Sequence, residues 1–391
     1  MRFAHRTGWA RDLNRLTKRL TALKAGGRAI LDLTESNPTH CQFHYPPELI
    51  AAQNDPKNLT YEPSPKGLEK SREVVATYYA EKGASVQPEQ LILTASTSEA
   101  YSFLFRLLLN PKEKLLVPRP SYPLFEYLVT LNDVAVSRYP LVYDTEWRID
   151  KKALGESVTP DARALISVHP NNPTGSYVKT EEKKFLVRLA AERDLSLICD
   201  EVFLDYAYES NARRVATFAG HDEVLTFTLS GISKILGLPQ MKLAWIVVSG
   251  PKALRKEALE RLEVIADTYL SVNTPSQQAL KKWFAFRPLL QEEIQKRLLS
   301  NRNFLLKQVG TTQGCEVLGG EGGWYAVLRL PDLKDEEEWV LEFLEKDSLL
   351  LHPGYFFDFA EGSQVVLSLL VPDESFQEGV RRLFSRVRKN I

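Results

Sequence analysis

Short apolar runs alternate with helix-length amphipathic stretches through most of the chain. From residue 68 onward, apolar residues at helical spacing predict helices over 68–82, 98–109, 122–131 and 180–193. Between them lie nearly continuous apolar runs at 91–95, 114–117, 164–168, 195–199, 224–229 and 243–248. Such runs are typical of strands buried on both faces of a parallel sheet. The pattern predicts a doubly wound, mostly parallel α/β domain.

The pattern changes towards both ends of the chain. Leu13, Leu16, Leu20 and Leu23 predict an amphipathic helix over 10–25, and residues 30–34 read as a short strand. A helical region at 251–307, with a break at 273–275, is followed by an α+β pattern. Its strands are predicted near 323–330, 349–352 and 365–370, and its helices over 335–346 and 374–389. We therefore predict a large domain over 45–285 and a smaller α+β domain formed by 1–44 and 286–391.

Composition excludes several classes of protein. The chain has 391 residues, of which 44% are hydrophobic and 26% charged, and its 50 basic residues balance its 50 acidic residues. A net charge of zero gives no global field for nucleic acid or for an anionic membrane, so neither partner is expected. The N-terminus lacks an apolar signal core, and no apolar run approaches the ~18 residues of a membrane span.

The cysteines and histidines indicate neither a disulfide scaffold nor a metal site. The three cysteines, Cys41, Cys199 and Cys315, show no paired spacing, which favours a reducing compartment and a cytoplasmic protein. His40, Cys41 and His44 lie close in sequence but do not have a usual zinc spacing, so no metal is expected.

Lys234 lies in a loop of small residues that follows the apolar run 224–229. A lysine at such a strand end can be partly buried with a lowered pKa, which suits an amine that forms a Schiff base. A surface lysine in a Gly/Ser loop is the alternative. Lys242 follows eight positions later and could bind a cofactor phosphate.

Two further polar groups follow buried runs. Asp200 ends the run 195–199, at the strand end where open α/β sheets bind ligands, and there it could pair with a protonated pyridine nitrogen. A helix cap or a structural ion pair is equally compatible with its position. Asn172 lies in the proline-rich turn 169–175, which could aim its amide at a phenolate oxygen or be an ordinary turn.

Small hydroxyl residues and an aromatic residue complete the set. Thr97 and Ser98 lie where a helix is predicted to begin, and free N–H groups at such an end bind phosphate. Capping by Ser96 or Thr97, with Glu99 completing a capping box, accounts for the same residues, and both roles can hold together. Tyr122 could stack on a flat heteroaromatic ring or simply pack.

Together these motifs resemble those of fold type I pyridoxal-phosphate (PLP) enzymes, within the class I/II aminotransferase family. The resemblance extends from Asn37 to the C-terminal part. It is carried by Ser36-Asn37-Pro38, Tyr61, Gly67, Thr97-Ser98, Ser121-Tyr122-Pro123, Asn171-Asn172-Pro173-Thr174-Gly175, Asp200-Glu201-Val202, Ser233-Lys234, Lys242 and Pro353-Gly354. It implies the PLP-dependent transferase fold and a homodimer with shared active sites.

The resemblance also implies a role for each residue. Lys234 would form the internal aldimine with PLP and then carry protons, and Asp200 would keep the pyridine nitrogen protonated. Asn172 would bond the ring oxygen, and Tyr122 would stack on the ring. The phosphate would be held by Thr97, Ser98, Lys242 and Tyr61 of a neighbouring subunit, and Asn37 would lie beside the substrate carboxylate.

The sequence departs from the family pattern at several positions. Phe203 replaces a common tyrosine, and the loss of that hydroxyl is expected to raise the pKa of the aldimine. Lys242 stands where many members have arginine. Gly231 replaces a phosphate-binding serine for which Ser230 could substitute.

The departure with the largest consequence concerns the substrate carboxylate. Val366 stands where the family usually has the arginine that holds this group. Arg329 and Lys66 are the candidates to replace it.

These features predict a PLP-dependent aminotransferase that moves an amino group between an amino acid and a 2-oxo acid by a ping-pong mechanism. A β-eliminating PLP lyase would use the same lysine and aspartate, and a PLP-binding protein without turnover is a third possibility. The motifs do not identify the amino donor.

Overall fold

The alternating pattern folds into an eight-stranded central sheet with helices on both faces. The computed structural model describes residues 3–9, 12–123, 125–360 and 362–391. The strands in this part of the chain are β1 (Leu31–Asp32), β2 (Leu91–Thr94), β3 (Lys114–Arg119), β4 (Ala135–Asp144), β5 (Glu146–Ile149), β6 (Ala162–Val168), β7 (Ser196–Asp200), β8 (Thr226–Gly231), β9 (Ala244–Ser249), β10 (Glu316–Leu318), β11 (Tyr325–Arg329), β12 (Leu349–Leu350), β13 (His352–Pro353) and β14 (Gln364–Ser368).

Helices connect most of these strands. They are α1 (Arg15–Ala25), α2 (Glu48–Ala51), α3 (Glu69–Glu81), α4 (Thr97–Leu108), α5 (Phe125–Leu131), α6 (Lys151–Ser157), α7 (Thr180–Arg193), α8 (Ile232–Ile235), α9 (Lys252–Tyr269), α10 (Thr274–Ala285), α11 (Arg287–Val309), α12 (Glu336–Asp347) and α13 (Asp373–Asn390). Short 3₁₀ turns occupy His5–Thr7, Pro38–His40, Pro56–Leu59, Pro88–Gln90, Pro239–Met241 and Gly354–Phe357.

The central sheet has the strand order β2-β9-β8-β7-β6-β3-β4-β5. The five strands β4, β3, β6, β7 and β8 run parallel, and β9 and β5 run in the opposite direction. The edge strand β2 pairs antiparallel with β9 and so has the direction of the five. Both faces are covered, because Ile198 of β7 packs in the core with residues of α4 and α9, and its neighbours Leu197 and Cys199 pack with residues of α7. This double burial explains why the strands read as continuous apolar runs.

Strand register brings distant parts of the sequence to one edge of the sheet. Val168 of β6 pairs with Asp200 of β7, which pairs with Leu229 of β8. The three parallel strands therefore end side by side, and the segments that contain Asn172, Asp200 and Lys234 leave the sheet at neighbouring positions.

A second, antiparallel sheet has the order β10-β11-β14-β13 and shares a core with α11, α12 and α13. The N-terminal strand β1 pairs in parallel with β12, through Leu31 opposite Leu349. The α/β class, with a large mostly parallel sheet and a smaller α+β part, is confirmed. The boundary positions of the two predicted domains stay a prediction.

The element bounds differ from the sequence predictions mainly at helix ends. The N-terminal helix begins at Arg15, because the Asn14 side chain accepts a hydrogen bond from Thr17 N at 2.7 Å and caps it there. Ala10 and Arg11 of the predicted helix 10–25, and Leu124 of the predicted helix 122–131, lie outside the described residues. Within the described part of the chain, no helix is long and apolar enough to cross a membrane.

Candidate active site

Lys234 lies two residues beyond the first residue of α8, just after β8 ends at Gly231. Its backbone is fixed by the buried Tyr206, whose hydroxyl donates to the Lys234 carbonyl oxygen at 2.6 Å. Burial lowers the pKa of the Lys234 amine to about 8, and the negative charge of Asp200 opposes this shift. About a tenth of the amine is therefore neutral, and so nucleophilic, at pH 7, far more than for an ordinary lysine.

Asp200 is the last residue of β7 and is almost fully buried. Its carboxylate accepts hydrogen bonds from the Tyr101 hydroxyl at 2.9 Å and from the Val202 N–H at 3.1 Å. Burial raises the pKa of Asp200 to about 6, and the two hydrogen bonds and the Lys234 charge act in the opposite direction. The carboxylate is thus ionised at neutral pH, and a further cationic or N–H partner would stabilise its buried charge.

Asn172 lies in the rigid turn that follows β6. Neighbouring Asn171 holds the turn, because its side-chain amide donates to the Pro120 carbonyl at 3.2 Å and to the Thr174 hydroxyl at 3.0 Å. Gly175 has φ +69°, and a Cβ there would collide with the Gly322 carbonyl, so only glycine fits. Asn172 itself is buried, and its Oδ1 has no hydrogen-bond partner among the described residues.

The Ser96 side chain caps the N-terminus of α4, and the Glu99 side chain reaches back to Ala95, one residue before the cap. Ser96 accepts a hydrogen bond from Glu99 N at 3.1 Å, and the Glu99 carboxylate accepts one from Ala95 N at 2.6 Å. The N–H groups of Thr97 and Ser98 donate to no acceptor within the described ranges. They stay available to an anion at the positive end of the helix dipole.

Aromatic side chains form one wall of the site. Tyr122 packs edge-on against Phe125, with ring centroids 6.3 Å apart, and 39% of its surface is exposed. Burial, with smaller contributions from Tyr325 and Asp200, raises the pKa of Tyr122 to about 12, so its hydroxyl stays neutral.

A cavity of about 210 Å³ brings these groups together. Its lining includes six of the residues that the sequence analysis selected: Thr97, Ser98, Tyr122, Asn172, Asp200 and Lys234. Three larger surface grooves, of about 650, 620 and 520 Å³, contain none of Lys234, Asp200 and Asn172. The smaller cavity is therefore the candidate active site.

Four other selected residues do not line this cavity. Ser230 is buried, and its hydroxyl donates to the Glu201 carbonyl at 3.3 Å. Lys242 is exposed, as is Tyr61 with 70% of its surface accessible. Asn37 accepts hydrogen bonds from Thr39 within its own turn, whereas its neighbour Ser36 lines the cavity.

The departures from the family pattern also have defined places. Phe203 lines the cavity, with its ring 5.4 Å from the Lys234 Nζ. Val366 is buried in β14, in an apolar cluster with Trp147 and Phe357. The two candidate replacements for a carboxylate-binding arginine are paired elsewhere, Arg329 with Glu316 at 2.7 Å and Lys66 with Glu263 at 3.0 Å. Among the described lining residues, Lys234 is the sole cation.

Sequence reasoning missed two polar residues that line the cavity, Tyr101 and Tyr325, and it gave no individual role to Ser36 and Ser233 of the quoted motifs. Tyr101 lies one turn after Thr97 on α4, so its helical spacing from the phosphate-binding position was a usable signal. Tyr325 begins β11, far along the sequence, and no local pattern connects it to the site.

The donor set is compatible with PLP. An amine with a lowered pKa can react with the PLP aldehyde, and a buried carboxylate can pair with its protonated ring nitrogen. Free N–H groups at a helix start can bind its phosphate. Asn172 is buried in the cavity lining, and its amide nitrogen can donate to the ring oxygen, whereas its Oδ1, unpartnered among the described residues, is itself an acceptor.

Comparison with known proteins identifies the family of the chain. Residues 28–383 match the family model described as aminotransferase class I and II. The glutamate-pyruvate aminotransferase of Escherichia coli is 27% identical over 352 residues, which are 88% of this chain and 86% of that protein. The alanine aminotransferase of Mycobacterium tuberculosis is 25% identical over 370 residues, 92% of this chain and 86% of the relative.

Solved structures show the same fold. The alanine aminotransferase of Pyrococcus furiosus superposes with a TM-score of 0.89 at 22% identity, covering 99% of this chain and all of that one. Aminotransferases of this family use PLP. The resemblance noted in the sequence is confirmed: the chain belongs to the class I and II aminotransferase family, and the enzyme is a transaminase.

Proposed function

We propose that this transaminase binds PLP on Lys234 and moves an amino group between an amino acid and a 2-oxo acid. The observation that carries the proposal is the convergence of the Lys234 amine, the Asp200 carboxylate and the Asn172 amide on one cavity. Their strands end side by side, so the fold itself supports this arrangement.

Each lining residue then has a defined task. When bound, PLP supplies an aromatic ring that accepts the electrons of the bond broken at the substrate Cα. Asp200, held by Tyr101, would keep a proton on the ring nitrogen. Asn172 would donate its amide hydrogen to the ring oxygen, and Tyr122 would limit the movement of the ring. The N–H groups of Thr97 and Ser98 would bind the phosphate.

Lys234 would also move the proton between the two carbon positions of the transfer. A general acid–base catalyst works best when its pKa lies near the working pH, and the pKa of about 8 meets this condition. The same burial that lowers this pKa excludes water from the amine. Loss of Lys234 is therefore expected to abolish both attachment and proton transfer.

Substrate recognition rests on neutral groups in this chain. Ser36 and Tyr325 line the cavity and supply hydroxyls, whereas no arginine is among its described lining residues. The names of the relatives make alanine and glutamate the first amino donors to test, with pyruvate and 2-oxoglutarate as acceptors.

We further propose a homodimer in the cytoplasm. Leu59, Tyr61 and Leu270 expose 91%, 70% and 67% of their surfaces. They lie in two neighbouring segments, because Ser64 N donates to the Ser271 hydroxyl at 3.0 Å. An exposed apolar patch of this kind is typical of a protein interface. A second copy seated there could bring Tyr61 towards the phosphate of the adjacent site.

The proposal is tested by a screen of the twenty amino acids. The purified chain, loaded with PLP, is mixed with each amino acid, and the absorbance of the bound cofactor is followed. We expect at least one amino acid to remove that absorbance, and a 2-oxo acid to restore it. Lys234→Ala should show neither change.

Other outcomes would contradict transamination. Release of ammonia and a 2-oxo acid without an added acceptor would indicate β-elimination on the same scaffold. Failure of the PLP-loaded chain to exchange the α-proton of any amino acid would indicate a binding protein without turnover.

A further inference from the structure

Two aromatic rings face the Lys234 amine. The Nζ lies 4.6 Å from the centroid of the Trp324 ring and 5.4 Å from that of Phe203. The two rings meet edge to face, with centroids 5.4 Å apart and an interplanar angle of 69°. Trp324 is fully buried and Phe203 nearly so. The amine thus contacts a corner formed by the buried rings of Trp324 and Phe203, neither of which carries a hydroxyl.

The corner is rigid because Trp324 is fixed on several sides. Tyr206 packs against the indole with centroids 5.3 Å apart, and the same tyrosine bonds the Lys234 carbonyl. Before Trp324, Gly323 N donates to the Tyr206 carbonyl at 2.9 Å. A Cβ on Gly322 would collide with the Tyr206 carbonyl, so the close approach of this segment to Tyr206 requires glycine at position 322.

An ion network anchors the same segment to the rest of the protein. Glu321 accepts hydrogen bonds from Arg214 at 2.9 Å and from Lys179, and all three side chains are largely buried. Its backbone N–H donates to the Gly175 carbonyl at 3.0 Å. The position of Trp324 over Lys234 is therefore set by Tyr206 and by the anchored segment 321–323 that precedes it.

From this geometry we propose that Trp324 and Phe203 act as positioning residues that hold the Lys234 ammonium against their ring faces. A cation over an aromatic face is attracted by the electrons of the ring, and the attraction is stronger in dry surroundings. The rings would keep the protonated amine in the cavity as a proton donor and limit how far burial disfavours its charge. The inference rests on the proposed function, in which this amine is the group that reacts.

Other groups that face the amine must be held constant in a test. They are Asp200 from β7, Tyr101 from α4, and Tyr122 and Tyr325, which line the same cavity. Of these, the charge of Asp200 acts on the amine. A change at Trp324 alters none of these four side chains, and the fluorinated series described below also keeps the shape of the ring.

The experiment measures the ionisation of the amine in the full-length chain by competitive labelling. Trace acetic anhydride labels neutral amines, and the extent of labelling at Lys234, read by mass spectrometry against the exposed Lys242, gives the pH midpoint. We expect Trp324→Leu to lower that midpoint by about one pH unit, and Trp324→Phe, which keeps a smaller ring face, to lower it less.

A second series keeps the shape of the ring. Fluorinated tryptophans incorporated at position 324 withdraw electron density from the ring face, so the midpoint should fall stepwise with each added fluorine. An unchanged midpoint across this series would overturn the inference, even if Trp324→Leu did not fold. Covalent attachment of PLP at Lys234 is measured in separate, unlabelled portions of the same preparations. Its absence in the unsubstituted chain would refute the proposed function, whereas attachment without a midpoint shift would refute only the role of the rings.

Discussion

Asp200 and Glu201 are adjacent buried acids with different surroundings. Asp200 contacts Tyr101 of α4 in the candidate active site. Glu201 is fully buried, and its two carboxylate oxygens accept hydrogen bonds from Phe218 N and from the Thr217 hydroxyl, both at 2.7 Å. Asp200 can therefore contact a ligand in the cavity, whereas Glu201 binds the loop that contains Thr217 and Phe218 to the end of β7.

The buried Glu201 makes a prediction about stability. Burial raises the pKa of Glu201 to about 7, against its two hydrogen bonds and the charges of Lys82 and Lys183. The pKa in the folded chain lies above the unfolded value of about 4.5, so protonation of Glu201 stabilises the fold, and this stabilisation is fully present below pH 4.5. Its contribution is lost as the pH rises from about 4.5 through 7, at a cost of about 3 kcal/mol.

Glu201→Gln keeps an oxygen for Phe218 N and offers an amide to the Thr217 hydroxyl. We expect the free energy of unfolding of this variant, measured by urea denaturation, to vary less between pH 5 and 8 than that of the unsubstituted chain. At pH 8 the variant should be the more stable of the two. Parallel pH dependences would show that Glu201 does not titrate in this range.

At the scale of elements, buried strands and long helices were predictable from the sequence. The helix α7 has the predicted bounds, because Glu182 and Lys179 define its start and Asp194 ends it in the left-handed region. The strands β6, β7 and β8 were found from their apolar runs, since burial on both faces leaves no polar alternation.

Other elements lacked such a signal. The long strand β4 carries mostly half-buried residues and runs into the hairpin partner β5, so its sequence mixes polar and apolar residues without a clear period. Similarly, Asp200, Asn172 and Lys234 were found because each follows a recognisable strand. Trp324 and Tyr325 were not, because the contact of β11 with the site depends on packing between distant segments.

At the scale of the whole molecule, the exposed apolar patch predicts self-association. Leu270 directly follows α9 and exposes 67% of its surface, so an aspartate there places a charge in the patch. We expect Leu270→Asp to shift the chain from dimer to monomer in analytical ultracentrifugation. Leu254→Asp is the matched control, since Leu254 is 50% exposed on the same helix, about 24 Å away along its axis. Equal effects of the two changes would argue against this patch as the interface.

The central claim is that one amine, Lys234, holds the cofactor. The most direct measurement is reduction of the PLP-loaded full-length chain with sodium borohydride, followed by digestion and mass spectrometry. We predict a phosphopyridoxyl group on Lys234, retained in Lys242→Ala and lost in Lys234→Ala. A label on another lysine of the unsubstituted chain, with Lys234 unmodified, would contradict the account.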